Sequence, residues 1–279
     1  MKIANYCSLG FQILSCFVFS AQAAPWPNNA KSAVSITADD GWPSQLTQAA
    51  ILEQKGFRGT FYLTAGGMPP VQQSAGQWAA KAYAGHEIGN HSYSHWSSQT
   101  LANKKWQELA SDIGGMEWWL LSNIYAMKPV DHTYAHPEGN YVVGPISSSQ
   151  SQKVGTCEYA AVLSTVVSGA RIAGTGENSP ANVAKRRYFL SGLPLYGSSA
   201  VTAAKNAIDN GIAKGTWTIL VFHSLGDAGD GYAVTQAQYT EIVQYLASKG
   251  TDVWVAPTIT VLKNVLANTP IDDWNCTQP

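Results

Sequence analysis

The amino-acid sequence predicts an α/β protein with a parallel sheet covered by helices, and three observations carry that expectation. Short β-like runs alternate with helical stretches along most of the chain, no long linker or repeat interrupts them, and the chemistry-bearing polar residues gather where β-like runs end. Such alternation favours parallel strands joined by helical crossovers, arranged either as a barrel or as an open doubly wound sheet.

The elements follow in order. A strand is expected over 33–37, just before Asp39-Asp40-Gly41, then a helix over 43–55 closed by Gly56 and a strand over 58–63. A small-residue helix over 77–84 stops at Gly85. It is followed by a short strand over 87–89 and a longer helix through Trp106, Met116 and Leu120. A strand over 133–135 leads into Pro137, and another run covers 166–172. The remainder reads as a helix over 201–213, a strong strand over 217–222, a helix over 236–248, a strand over 252–255 and a last helix over 259–266. That makes about seven β/α units. The stretches 147–151 and 174–180 read as loops, and neither brings a composition change that would mark a domain boundary. One domain over 24–279 is expected.

Composition narrows the function. With 17 Lys and Arg against 18 Asp and Glu, the net charge of −1 provides no basic field for nucleic acid. The chain of 279 residues is 45% hydrophobic and only 13% charged, which excludes a disordered protein and allows a substantial core. Ten Trp and 13 Tyr supply flat amphipathic rings of the kind that suit sugar recognition.

Residues 1–23 read as a secretory signal. Lys2 precedes an apolar run over 9–19, and Ala21-Gln22-Ala23 has the small-x-small pattern of a cleavage site. The run is shorter than the roughly 20 residues a spanning helix needs, so an exported protein without a membrane span is expected, in a periplasm, a cell wall or the medium. Ile13-Leu14-Ser15-Cys16 resembles a lipoprotein box only superficially, because apolar residues continue past the cysteine. Removing 1–23 takes Cys7 and Cys16 away and leaves Cys157 and Cys276, which can form one disulfide in an oxidising compartment. They lack the paired spacing of a structural zinc site.

Three places carry chemistry. Asp39 and Asp40 end the first strand and are followed by Gly41, so a turn presents two carboxylates at the carboxyl edge of the sheet, where α/β barrels place active sites. Neighbours leaving an extended strand point in different directions, so one carboxylate can bind a cation while the other moves protons. His91 and His95 are four apart, and over a helical turn both would face one way. Two imidazoles and a carboxylate make a facial set that binds zinc or a similar divalent ion and leaves positions open. His223 ends the apolar run over 218–222, and an imidazole there suits proton donation near neutral pH.

In order and spacing these stretches resemble the polysaccharide deacetylases, or NodB-homology carbohydrate esterases. Thr37-Ala38-Asp39-Asp40-Gly41 is similar to the family's Thr-Phe-Asp-Asp-Gly motif, His91-Ser92-Tyr93-Ser94-His95 to its His-Ser/Thr-x-x-His motif, and Leu220-Val221-Phe222-His223 to its late Leu-x-His motif. The resemblance implies a distorted (β/α) barrel with about seven parallel strands. It implies one divalent metal ion, zinc before others, held by Asp40, His91 and His95, with Asp39 as general base and His223 as general acid. The implied partner is an acetylated polysaccharide or oligosaccharide such as chitin, peptidoglycan or poly-N-acetylglucosamine, acted on by a monomer. O-deacetylation of a xylan-type polysaccharide is the enzymatic alternative, and a carbohydrate-binding pseudoenzyme the alternative of another class.

One motif departs from the pattern. The family's third motif commonly supplies an Arg beside a Pro and an aromatic, whereas this chain reads Tyr134-Ala135-His136-Pro137-Glu138-Gly139, which implies a more polar groove wall from Tyr134, His136, Pro137 and Glu138. Arg171 is the candidate to pair with Asp39 from another strand, against the alternative of a solvent-facing Arg or a pair with Glu177. Asp227 or Asp230 can orient His223. Trp42, Trp96 and Trp217 adjoin the motifs and are candidates for sugar stacking, and Leu220 and Phe222 for the acetyl methyl. Trp118 and Trp119 are neighbours on a helix, so at least one of them is core.

Overall fold

The computed structural model describes residues 26–269. Its strands are β1 Ser32–Asp40, β2 Thr60–Leu63, β3 Glu87–Asn90, β4 Tyr134–Ala135, β5 Ala170–Ala173, β6 Leu190–Pro194, β7 Trp217–Phe222 and β8 Val253–Val255. Its helices are α1 Gln45–Glu53, α2 Pro69–Gln73, α3 Ala75–Tyr83, α4 Ser98–Leu101, α5 Trp106–Asn123, α6 Ser149–Ser164, α7 Pro180–Val183, α8 Ala200–Lys214, α9 Gln236–Ser248 and α10 Thr258–Asn268. Strands β1 to β7 pair in succession, all parallel, and β7 returns to β1, so seven strands close a barrel. The fold is the distorted (β/α) barrel expected.

The seven strands of the ring are not the seven the sequence indicates. Strand β8 lies outside it, pairing with Ser32, Ala33 and Val34 at the start of β1, while β2 takes Thr37 to Asp40 along the same edge. Its place in the ring belongs to β6, which no sequence signal marked. The expected loop at 147–151 instead opens α6. There Ser148 caps the helix by accepting from the Ser151 amide, and Tyr159, Ala160 and Leu163 bury one face. Cys157 on α6 is disulfide-bonded; the expected partner Cys276, the signal segment 1–23 and the rest of the tail lie outside the described residues. Among the described residues no helix is long and apolar enough to cross a membrane.

Alternation along β1 decides what the barrel contains. Val34, Ile36 and Ala38 join an apolar cluster with Leu52 of α1 and Ile242 and Leu246 of α9. Ser35, Thr37 and Asp39 take the other face and are buried with Thr60, Tyr62, Glu87 and Arg171. This interior is polar where barrel interiors are usually filled by branched apolar residues, so its groups must satisfy one another. Glu87 does so with four donors: the Thr133 amide and hydroxyl on Oε1 at 2.7 and 2.6 Å, and the Thr60 hydroxyl and Ile259 amide on Oε2 at 2.9 and 2.8 Å. The last of these caps α10 from inside the barrel. Tyr62 reaches Thr133 Oγ1 at 2.7 Å, and Gly89 makes room for its ring, since a Cβ there would stand 2.6 Å from Tyr62 Cδ1.

Both carboxylate oxygens of Glu87 face donors, so an amide in its place must turn an NH2 group against an N–H or O–H. Glu87→Gln is expected to cost about 1–3 kcal/mol, measured as a lower urea midpoint with unchanged slope.

Candidate active site

The site forms at the carboxyl ends of the barrel strands. Asp39 is the last inward-facing residue of β1, and Asp40 ends the strand with φ +79° before Gly41 at φ +78°. Gly41 is required sterically as well, because a Cβ there would meet Val71 Cγ2 at 2.4 Å. This left-handed turn sends the two carboxylates in different directions. Trp42 then donates from its indole to Asp40 Oδ2 at 3.1 Å.

His91 and His95 leave β3 on a loop, not on the helical turn the spacing suggested. Ser92 and His95 have φ +62° and +49°, and the two rings nonetheless meet edge to face, with centroids 4.9 Å apart. Helix α5 holds this loop. Asp112 accepts from the Tyr93 and Ser94 amides at 3.2 and 3.4 Å, and Asn90 donates to the Ile113 carbonyl and to Glu117 at 3.1 and 2.6 Å. Asn90 Oδ1 in turn accepts from the Ser92 amide at 2.7 Å, and Ser92 Oγ from the His95 amide at 3.0 Å. The sequence reading missed Asn90, Asp112 and Glu117; only their position beside the loop identifies them.

Asp40, His91 and His95 each offer a ligand atom, and the three lie within 4.8 Å of one another. His91 Nε2 and His95 Nε2 stand 3.3 and 3.2 Å from Asp40 Oδ1. His91 donates from Nδ1 to the Ala135 carbonyl at 2.8 Å, which leaves the lone pair of the neutral ring on Nε2, aimed at the carboxylate. Asp40 Oδ1 is buried and accepts no hydrogen bond. Acceptors turned on one another in this way call for a cation between them, and two imidazole nitrogens with one carboxylate oxygen suit zinc. Burial alone would raise the Asp40 carboxyl, but positive charge on the two imidazoles, which they carry when protonated, outweighs it and would hold the group far below the usual carboxylate range. Burial likewise acts to lower His95, and Asp40 outweighs it and holds the imidazole above its ordinary value. The cluster thus favours an ionised Asp40 that attracts positive charge.

Asp39 is 4% exposed and is bound through Oδ1 by Arg171 Nη2. Its Oδ2 turns toward His91 Nε2, 3.9 Å away. Arg171 reaches it from β5, across the barrel, with its guanidinium over the Tyr62 ring at 5.0 Å. Gly192 on β6 leaves the space, since a Cβ there would come within 3.0 Å of Arg171 Cδ. The alternative partner, Glu177, is taken by Lys214.

His223 follows β7, with Nε2 3.9 Å from Asp40 Oδ2. Its backbone carbonyl accepts from Gln48 and Gln45 of α1, at 2.6 and 3.3 Å, and Gln45 also binds the Asp39 carbonyl. Two glutamines therefore tie the ends of β1 and β7 together. Asp227 and Asp230 do not orient the imidazole: Asp227 accepts from the Ser44 amide, and Asp230 from the Ser224 and Tyr232 amides.

Several expected wall residues lie elsewhere. Tyr134 is fully buried, hydrogen-bonded to the Tyr159 hydroxyl at 2.9 Å. His136 is 1% exposed among Tyr134, Tyr159 and Phe189, its nitrogens 3.0 and 3.2 Å from the Tyr188 and Asn140 carbonyls, and burial pushes its pKa down to about 4. It is an aromatic packing residue and not a polar wall. Pro137 is also buried, while Glu138 is exposed and accepts from the Ser98 amide at the start of α4. Leu220 and Phe222 face outward into the apolar layer with α9, where Phe222 meets Tyr239 at 4.9 Å, so neither can receive an acetyl methyl. Trp217 is buried at the opposite end of the barrel, bound to Ser35 Oγ. Trp96 is partly buried beneath Lys104 at 4.7 Å. Of the helical pair, Trp119 packs on the core while Trp118 is exposed.

A carboxylate and two imidazoles positioned to hold a metal, at the mouth of a seven-stranded parallel barrel and beside a second, arginine-bound carboxylate, define a class of site. Residues 27–152, which contain Asp39, Asp40, His91 and His95, match the family model of the polysaccharide deacetylases. A protein from Mycobacterium smegmatis assigned as a polysaccharide deacetylase superposes with a TM-score of 0.64 at 15% identity, over 91% of this chain and 96% of its own. A family 4 carbohydrate esterase from Streptomyces lividans, solved with acetate, gives 0.50 at 18% identity, over 81% and 92%. A family 4 pseudoenzyme from Bacillus anthracis gives 0.51 at 15% identity, over 85% and 66%. At these identities the likenesses establish the fold alone. No curated protein matches the sequence.

Removing one partner of a buried ion pair leaves the other charge uncompensated. Arg171→Ala is therefore expected to lower stability by about 3–5 kcal/mol, and adding Asp39→Asn to recover part of the loss, as read from urea midpoints in a double-mutant cycle. For His136, a folded pKa of about 4 lies below the ordinary 6.5, so the unfolded chain takes up a proton that the fold refuses as pH falls through that window. Stability is expected to drop between pH 6.5 and 4, and His136→Phe to reduce the slope of the urea midpoint against pH.

Proposed function

We propose that this chain is a secreted, metal-dependent deacetylase that hydrolyses N-acetyl groups on N-acetylglucosamine-containing glycans and releases acetate. The observation that carries the reading is the convergence of Asp40, His91 and His95 around a buried, hydrogen-bond-free carboxylate oxygen, with Asp39 and His223 on either side. Export rests on the pattern in residues 1–23.

Asp40, His91 and His95 would hold the ion. When bound, a divalent cation supplies Lewis-acid polarisation of the acetyl carbonyl and lowers the pKa of a water. The other steps belong to side chains of the protein. Asp39 accepts the proton of the attacking water at Oδ2, because Arg171 occupies Oδ1 and fixes the direction of the free oxygen. His223, held at the rim by the end of β7, donates a proton to the departing amine nitrogen. Its Nε2 faces the site and its imidazole is partly exposed, so a proton can be replenished from solvent. Arg171 also keeps the base in place with Gly192 and Tyr62 around it, which limits reorganisation during the reaction.

Acetate release from N-acetylglucosamine oligomers, peptidoglycan fragments and acetylated xylan, before and after chelation and with zinc restored, tests the reading. Chelator-sensitive, zinc-restored release from the N-acetylated substrates is expected. Release from xylan alone would replace it by O-deacetylation, and no release from any substrate by a zinc-loaded protein would refute it in favour of sugar binding without turnover. His91→Ala and His95→Ala are expected to lose bound zinc and activity together, whereas Asp39→Asn retains zinc and loses turnover. Equal zinc loss in all three, measured by metal analysis, would overturn the assignment of roles.

A further inference from the structure

The loops that follow β6 and β7 carry a feature the metal cluster does not use. Tyr196 and Tyr232 stand 49% and 56% exposed on the same end of the barrel as His223. Their rings meet edge to face with centroids 5.5 Å apart, and the Tyr232 ring lies 5.3 Å from the His223 imidazole, tilted by 33°. The pair therefore continues the active-site surface outward from the residue that faces Asp40.

The backbone that carries both rings is held in place. The Val234 amide donates to the Ser224 carbonyl at 3.2 Å and closes the β7 loop on itself. Inside that loop Asp230 accepts from the Ser224 and Tyr232 amides at 2.7 and 2.8 Å, which fixes the backbone that carries the ring. The Gly197 amide donates to the Ala233 carbonyl at 3.2 Å, and Gln238 donates to the Gly197 carbonyl at 2.9 Å, so the two loops are laced together. Leu195 and Val234, next to the loop tips, are buried and anchor them. Exposed loop side chains are ordinarily mobile; here the ordering cost is met by the fold before any ligand arrives.

We infer that Tyr196 and Tyr232 form an aromatic subsite for a pyranose ring linked to the acetylated sugar, so that the protein recognises at least two connected sugar residues. The inference rests on the deacetylase reading for the chemistry beside it, but the subsite binds its ring whether or not the bond is cleaved. A pyranose offers C–H groups on its faces and hydroxyls at its edge, and an exposed phenol matches it with an apolar face and a polar tip. The surroundings favour a sugar over an apolar helix or side chain, because the neighbouring loop positions are Ser198, Ser199, Asp227 and Asp230. Continuity with His223 commits the occupant to a ring of the reacting glycan itself.

The test is the affinity of the full, zinc-loaded chain carrying Asp39→Asn for N-acetylglucosamine monomer and pentamer, or for acetylated xylose and xylopentaose if the wild type prefers them, by titration calorimetry. Tyr196→Ala is the principal variant, since Tyr196 lies one ring further from His223. It is expected to weaken pentamer binding roughly three- to tenfold, to change monomer binding by much less, and to be rescued by Tyr196→Phe. Tyr83→Ala, at a fully exposed tyrosine on α3, serves as the control for tyrosine loss in general. Unchanged pentamer affinity in both Tyr196→Ala and Tyr232→Ala, or equal losses for monomer and pentamer, would overturn the subsite. Acetate release by the wild type separates the two readings. Turnover with no effect of Tyr196→Ala on the pentamer removes the subsite alone, whereas no turnover with the pentamer loss intact removes the deacetylase reading alone.

Discussion

A guanidinium sealed inside a barrel needs a carboxylate, and the contact between Arg171 and Asp39 organises the centre of this molecule. Two charges withdrawn from water are tolerated only with close pairing and further polar company. The barrel supplies both: Tyr62 lies beneath the guanidinium, Gly192 gives its stem room, and Gly89 gives room to Tyr62. The same contact selects which oxygen of Asp39 stays free, so the interior that holds the strands together also aims the base.

From that centre the site is assembled by strand ends and the loops that leave them. Asp40, Ser92 and His95 sit in the left-handed backbone region, which costs on the order of 1–3 kcal/mol at each such residue. Hydrogen bonds to Asp112, Asn90 and Ser92 offset this strain around the histidine loop, and α5 thereby becomes the support of the histidine pair. Gln45 and Gln48 serve the other side, joining the ends of β1 and β7 so that His223 and the two aspartates keep their spacing.

The stretch that departs from the family pattern has become packing. Tyr134 and His136 lie in an aromatic cluster with Tyr159 and Phe189, and Glu138 caps a short helix. The positive charge that this stretch lacks comes from β5 instead. A guanidinium can be exchanged between neighbouring strands in this way because what matters to Asp39 is where the charge ends up, not which strand carries it.

Local patterns were legible in the sequence because they depend on neighbours along the chain. A strand followed by Asp39-Asp40-Gly41 and an apolar run ending at His223 each contain their own geometry, histidines four apart mark the pair but not the loop that carries it, and the count of about seven strands follows from alternation. Tertiary structure alone decided the rest. The period of a strand says that successive side chains oppose one another but not which face is inside, so only the structure shows that Leu220 and Phe222, candidates for the acetyl methyl, face away from the site. Strand β6 has no distinctive flanks, and the helix α6 begins in a serine-rich stretch that reads as a loop. The supports of the site, among them Asn90, Asp112, Gln45 and Gln48, and the Tyr196 and Tyr232 pair, join groups separated along the chain, and no local pattern records a contact that only closure of the barrel creates.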